Sequence, residues 1–126
     1  MKNKILPFII SVLLISSLNA QDLILTAVYD GPLSGGTPKG VELYVISDIA
    51  DLSKYALGAA NNGGGTDGAE YTLSGSASAG DYLYIANEST QFTSFFGFAP
   101  TATNSAMSIN GDDAIVRFFD AEHGTG

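Results

Sequence analysis

Cysteine and tryptophan are absent from the 126 residues, and histidine occurs once, as His123 near the end. These absences exclude cysteine nucleophiles, thiolate metal sites, disulfides and most histidine catalysis. Basic residues are also scarce, with 5 Lys or Arg against 13 Asp or Glu and a formal net charge of −8. A surface this acidic repels phosphate backbones and anionic membranes, so nucleic-acid binding through this chain is disfavoured.

The N-terminus has the layout of a secretory signal peptide. Two lysines precede an apolar run from Ile5 to Leu18, and the segment then ends in the small residue Ala20. Pro7 interrupts this run, which is shorter than the roughly 20 residues that a membrane-spanning helix needs. We therefore expect residues 1–20 to be a signal peptide and residues 21–126 to be one secreted or cell-surface domain, with no membrane span after cleavage.

Short apolar runs separated by Gly, Asn, Asp and Ser predict strands and turns along the rest of the chain. The first run, 23–29, is apolar on both faces, which predicts a central strand that stops at Asp30 and is followed by a loop as far as Gly40. In the run 41–46, apolar residues at 41, 43 and 45 share one face, and residues 42, 44 and 46 share the other. Further runs at 71–73, 82–86 and 114–119 also predict strands.

Two local signals complete the secondary structure. Asn110-Gly111 predicts a hairpin that joins residues 107–109 to a strand starting near Asp113. Phenylalanines at 92, 95 and 96 have helical spacing, so they predict a short helical turn that ends at Gly97, with Ser89 or Thr90 as the N-cap. The sequence thus predicts an all-β sandwich with one short helical turn covering one end of its core. The predicted core consists of Leu23, Leu25, Val41, Leu43, Leu57, Leu83, Ile85, Ile115 and Phe118.

Carboxylates in two loops are candidate calcium ligands. Asp112 and Asp113 lie in one of these loops, and Asp48 and Asp51 lie in the other. Oxygen ligands of this kind suit a hard cation such as calcium. Tight turns prefer the same residues, because their side chains bond to the local backbone. A structural role in turns is therefore favoured over calcium binding for these four residues.

Glu42 stands out as an acid inside a strand of β-forming residues. It either points into solvent or is buried and paired with one of the bases Lys39, Lys54 and Arg117, since burial without a partner is costly. An acid in this setting is a candidate site, although a structural role is the first expectation. Nothing in the sequence indicates a pair of carboxylates for glycosidase chemistry, and no aromatic platform is evident without tryptophan.

Five segments follow one another in a characteristic order: Val41-Glu42-Leu43-Tyr44, Asp51-Leu52-Ser53-Lys54-Tyr55-Ala56-Leu57, Tyr71-Thr72-Leu73, Ala79-Gly80-Asp81-Tyr82-Leu83-Tyr84-Ile85-Ala86 and Asn110-Gly111-Asp112-Asp113-Ala114-Ile115. This ordered set resembles the lamin-tail domain, in the subset found in secreted bacterial proteins. Together they cover about residues 22–120. The sequence departs from the family pattern at Lys54, where glycine is usual, and at Tyr55, where tryptophan is common.

The resemblance implies an immunoglobulin-like β-sandwich without enzymatic activity, which serves as a binding or structural accessory module of a secreted or surface protein. It implies no catalytic residues and no cofactor, and the partner would be a protein, a glycan or a downstream domain. Because the tail 120–126 stops where the family continues into a further strand, we also expect the chain to be C-terminally truncated. Two alternatives stay open: the N-terminal part of a nuclease-like extracellular hydrolase, and a calcium-stabilised adhesion module.

Overall fold

The computed structural model describes residues 21–65, 68–111 and 113–119. The predicted signal peptide, Asp112 and the tail from residue 120 lie outside the described residues, as do the side chains of Val116, Phe118 and Phe119. The described elements are β1 (Leu23–Leu33), β2 (Thr37–Val45), β3 (Tyr55–Ala60), β4 (Tyr71–Thr72), β5 (Tyr82–Ala86), α1 (Thr90–Phe96), β6 (Ala102–Thr103) and β7 (Ala114–Phe119). Short 3-10 turns span Leu52–Lys54, Asn61–Gly63 and Ser105–Met107.

These strands form two sheets. One has four strands in the order β1-β2-β5-β6, and the other has three in the order β4-β3-β7. Neighbouring strands are antiparallel except for β5 and β6, which are parallel. Buried side chains of both sheets belong to one hydrophobic cluster, to which Leu43 and Ile85 contribute from the first sheet and Leu57 from the second. The fold is therefore mostly β and sandwich-like, as the sequence predicts.

The predicted core is largely confirmed. Six of its members are buried, namely Leu23, Val41, Leu43, Leu57, Leu83 and Ile85. Leu25 and Ile115 are partly buried and pack against the same cluster, and the side chain of Phe118 is outside the described part. The cluster also includes residues from connections between strands, such as Leu52, Met107 and Ile109. The connections therefore help to close the core.

The prediction that the first run is a central strand and stops at Asp30 is wrong. In the four-stranded sheet, β1 lies at an edge and continues to Leu33. Pro32 is tolerated there because an edge strand needs no ladder donor on its outer side. The segment 31–40 is the end of a tight hairpin, in which Gly35 and Gly36 take positive φ and the Gly36 N–H donates to the Leu33 carbonyl at 2.9 Å.

The hairpin predicted at Asn110-Gly111 is also wrong. Residues 107–109 form no strand with β7, which instead pairs with β3 along its whole length. Met107 and Ile109 are buried in the core, and this non-local packing overrides the local hairpin signal. The Asp113 N–H donates to the Asn110 carbonyl at 3.0 Å, just before β7.

The short helix is confirmed, but its predicted place over one end of the core is wrong, because Phe92 packs against Tyr29 and Tyr84 on the side of the four-stranded sheet that faces away from the core cluster. The helix α1 begins after Ser89 and ends at Gly97, which takes a left-handed φ of 80° and donates its N–H to the Thr93 carbonyl. Its first turn is satisfied by the Glu88 carboxylate, which accepts from the backbone N–H of Gln91 at 3.0 Å, rather than by a side chain at the predicted cap. Phe92 is fully buried and fixes the helix against the four-stranded sheet.

Candidate binding face

Tyrosines cover the side of the four-stranded sheet that faces away from the core. Because side chains alternate along a strand, burial of Leu43 and Leu83 in the core puts their neighbours on the opposite side. Tyr44 lies directly across from Tyr82 in the β2–β5 ladder, with the two ring centroids 5.0 Å apart and the planes inclined by 50°. One step along the same ladder, Glu42 lies across from Tyr84.

The segment around α1 extends this aromatic surface. Phe98, which follows the helix, packs edge-on against Tyr84 with a centroid distance of 5.0 Å. Beneath it, the buried Phe92 ring contacts Tyr29, Tyr84 and Phe98 at centroid distances of 6.0, 5.9 and 5.4 Å. We call the surface formed by Tyr44, Tyr82, Tyr84 and Phe98 the aromatic face.

Two rings of the aromatic face are open to solvent. Tyr82 is 52% exposed and Phe98 is 43% exposed, whereas Phe92, which contacts Phe98, is fully buried. Aromatic rings that touch one another already lose part of their hydration, so a ligand that covers them gains further burial at little entropic cost. Contiguous exposed aromatic surface of this kind is typical of interaction sites.

Glu42 supplies the charge of this face. Its side chain is half-buried, and its Oε1 accepts a hydrogen bond of 2.8 Å from the Thr26 hydroxyl on β1. Within the described ranges, Lys39 forms an ion pair with Asp30. Glu42 forms no ion pair there with Lys39, Lys54 or Arg117. Burial, and after it the adjacent Glu42 carboxylate, raises the pKa of Tyr84. Glu42 is therefore hydrogen-bonded to Thr26 and Tyr84 and paired with no base.

Lys39 is buried at the other end of β2, where it holds the hairpin against the segment before β7. Its Nζ donates to Asp30 Oδ1 at 2.8 Å, to the Ile109 carbonyl at 2.7 Å and to Asn110 Oδ1 at 2.9 Å. The Lys39 side chain is 10% exposed, against 36% for that of Asp30. All three donors of the ammonium group are occupied, so this cluster has a structural role.

Three of the four candidate calcium ligands are described, and each accepts backbone N–H groups of its own or a neighbouring loop. Asp48 accepts the N–H of Ala79 at 2.9 Å, and Asp51 accepts the N–H of Ser53 at 2.9 Å. Asp113 accepts two backbone N–H groups, both at 2.7 Å, and these bonds lower the pKa of its carboxyl. Asp112 lies outside the described residues. Across the part of the chain that the structure describes, no three metal-ligating side chains converge, so calcium binding stays a prediction.

Asp48 and Asp51 do share a small cleft of about 210 Å³ with Asp22, Lys54 and Tyr55. The Asp22 carboxylate at its edge accepts hydrogen bonds from the hydroxyls of Ser47 and Tyr55. Burial and then the Asp22 charge raise the pKa of Tyr55. Each described acid of the cleft thus has donors within the chain.

Comparisons with known proteins return no match: no family model, no curated protein and no solved structure is similar to this chain. No helix in the described part of the chain has the length and apolar content needed to cross a membrane. The aromatic face was not predicted from the sequence. Tyrosines at the non-core positions 44, 82 and 84 were the available signal, but the pairing of β2 with β5 was needed to bring them together.

Proposed function

We propose that this chain is a non-catalytic binding module of a secreted or cell-surface bacterial protein, with an immunoglobulin-like β-sandwich of the lamin-tail type, and that it binds through the aromatic face. The observation that carries the proposal is the half-exposed pair Tyr82 and Phe98, each in contact with a further tyrosine of the same face. Large aromatic side chains at this exposure contribute binding energy out of proportion to their number.

Binding is the function that the chemistry of this face supports best. The rings offer burial and stacking, and Glu42 with the tyrosine hydroxyls offers hydrogen bonds of defined direction. Hydrolysis of a glycosidic bond requires two carboxylates placed on opposite sides of the bond. Glu42 instead faces Tyr84 across the ladder and is held by Thr26, which suits recognition.

The proposal is tested by removing the two exposed rings. We expect Tyr82→Ala and Phe98→Ala, together, to weaken binding at least tenfold when the protein is screened against oligosaccharides and against peptides of different charge. Val28→Ala is the matched control, because Val28 is 47% exposed but lies outside the aromatic face. Binding that is equal in the control and in the double variant, or no binding by the wild type, would contradict the proposal.

A further inference from the structure

The inference concerns what the aromatic face binds, and it rests on the proposed function. Glu42 is the central observation, because it is a half-buried carboxylate among tyrosine rings. It accepts hydrogen bonds from two neutral hydroxyls, that of Thr26 at 2.8 Å and that of Tyr84. Among the described residues, no ion pair joins Glu42 to a base: Lys39 pairs with Asp30, and the Arg117 guanidinium lies over the Tyr55 ring. Its negative charge is thus uncompensated in the free protein.

The surroundings of Glu42 favour a positive charge on the ligand. Aromatic faces carry negative potential, so the rings of Tyr44 and Tyr84 attract a cation as the carboxylate does. The charge of the chain, −8, adds a long-range field of the same sign. A carboxylate has about four acceptor positions, and the Thr26 and Tyr84 hydroxyls occupy two of them, so a ligand N–H can bond to Glu42 without displacing either contact.

We propose that the aromatic face binds a lysine or arginine side chain of a partner protein, with Glu42 as its counter-charge. The apolar stem of such a side chain packs on the rings of Tyr44 and Tyr82, which lie across from each other beside Glu42. The charged head then reaches the carboxylate, and a guanidinium group adds stacking and bidentate hydrogen bonding. Phe98 lies beyond Tyr84 and covers the residues that flank the basic side chain in the partner segment.

The test separates this specific contact from general attraction between an acidic protein and a basic peptide. The affinities of fluorescent hexa-arginine and hexa-lysine peptides for the whole chain are measured by anisotropy, with a neutral oligosaccharide series in parallel. Glu42→Gln is compared with Glu70→Gln, which removes the same charge from an exposed position near β3 on the other sheet. Both glutamines keep an acceptor for the native donor, and urea unfolding checks that both variants remain folded.

We expect Glu42→Gln to weaken binding of the arginine peptide at least tenfold, with a change of less than twofold for Glu70→Gln. Equal losses in the two variants would overturn the inference, because they would show attraction without a defined site. Oligosaccharide binding that is lost in Tyr82→Ala and retained in Glu42→Gln would overturn it too, while leaving the aromatic face as the binding surface. If no probe binds in a manner that depends on Tyr82 or Phe98, the proposed function fails as well.

Discussion

Replacing Lys39 by methionine tests the contact that holds the end of the β1–β2 hairpin to the rest of the domain. Methionine preserves the apolar stem of the side chain but removes the ammonium group, which donates to Asp30, Ile109 and Asn110 at 2.7–2.9 Å. We expect the Lys39→Met protein to fold and to be clearly less stable. Water cannot reach all three acceptors equally, and the buried Ile109 carbonyl would be left without a donor.

The expected loss follows from the exposure of each acceptor. The Ile109 carbonyl accepts its bond in a buried position, and a buried acceptor left without a donor costs about 1–3 kcal/mol. The Asp30 side chain is 36% exposed, so solvent screens its charge, and loss of the ion pair adds about 1 kcal/mol or less. The free energy of unfolding should therefore fall by about 1–4 kcal/mol.

The measurement is urea unfolding followed by far-ultraviolet circular dichroism and tyrosine fluorescence, since the chain has no tryptophan. Asp30→Asn is the control: asparagine still accepts a hydrogen bond from Lys39, so its loss should be about 1 kcal/mol or less. A Lys39→Met protein within about 0.5 kcal/mol of the wild type would refute the reasoning, since a change that small is typical of surface substitutions. It would show that water reaches the Ile109 carbonyl.

Four further predictions concern packing, pH and metal. Gly40→Ala should prevent folding or cost more than about 4 kcal/mol in urea unfolding, because the added Cβ would lie 2.2 Å from the Ile85 carbonyl oxygen; near-wild-type stability would contradict this contact. Phe92→Ala should cost about 3–5 kcal/mol by the same assay, since the ring is fully buried beneath α1. The pKa of Asp113 is lowered in the folded protein, so its ionised carboxylate stabilises the fold above the unfolded-state pKa near 4. This stabilisation is lost as the pH falls below that value, so Asp113→Asn should flatten the acid side of a plot of stability against pH. Calcium at millimolar concentration should raise Tm if the calcium prediction is right, and an unchanged Tm would end it.

Alternation of apolar residues and short-range spacing correctly predict the elements whose structure depends on residues adjacent in the sequence. The strand β5 has the predicted bounds, and β2 has the predicted buried face at 41, 43 and 45. The helix was predicted from three phenylalanines and a terminal glycine, because capping and periodicity are properties of a few adjacent residues. In each case, the residues that determine the strand or helix are close neighbours in the sequence.

The errors share a different cause, which is dependence on distant partners. A run that is apolar on both faces predicts a central strand, yet β1 is at a sheet edge, where its Tyr29 contacts Phe92 and Phe96 of α1. The aromatic face also depends on distant partners. Glu42 and Tyr84 are brought together by a strand pairing that nothing in their local sequences specifies.

The two faces of β2 explain why stability and binding can be tested separately. Val41 and Leu43 fill the core, whereas Glu42 and Tyr44 belong to the opposite side, so a substitution on that side leaves the core intact. A register slip of one residue would exchange the two sets, and the Lys39 cluster opposes such a slip by fixing the hairpin end. Variants at Lys39 should therefore reduce binding only through unfolding. A loss of affinity at unchanged unfolding free energy is the result that identifies a residue of the aromatic face.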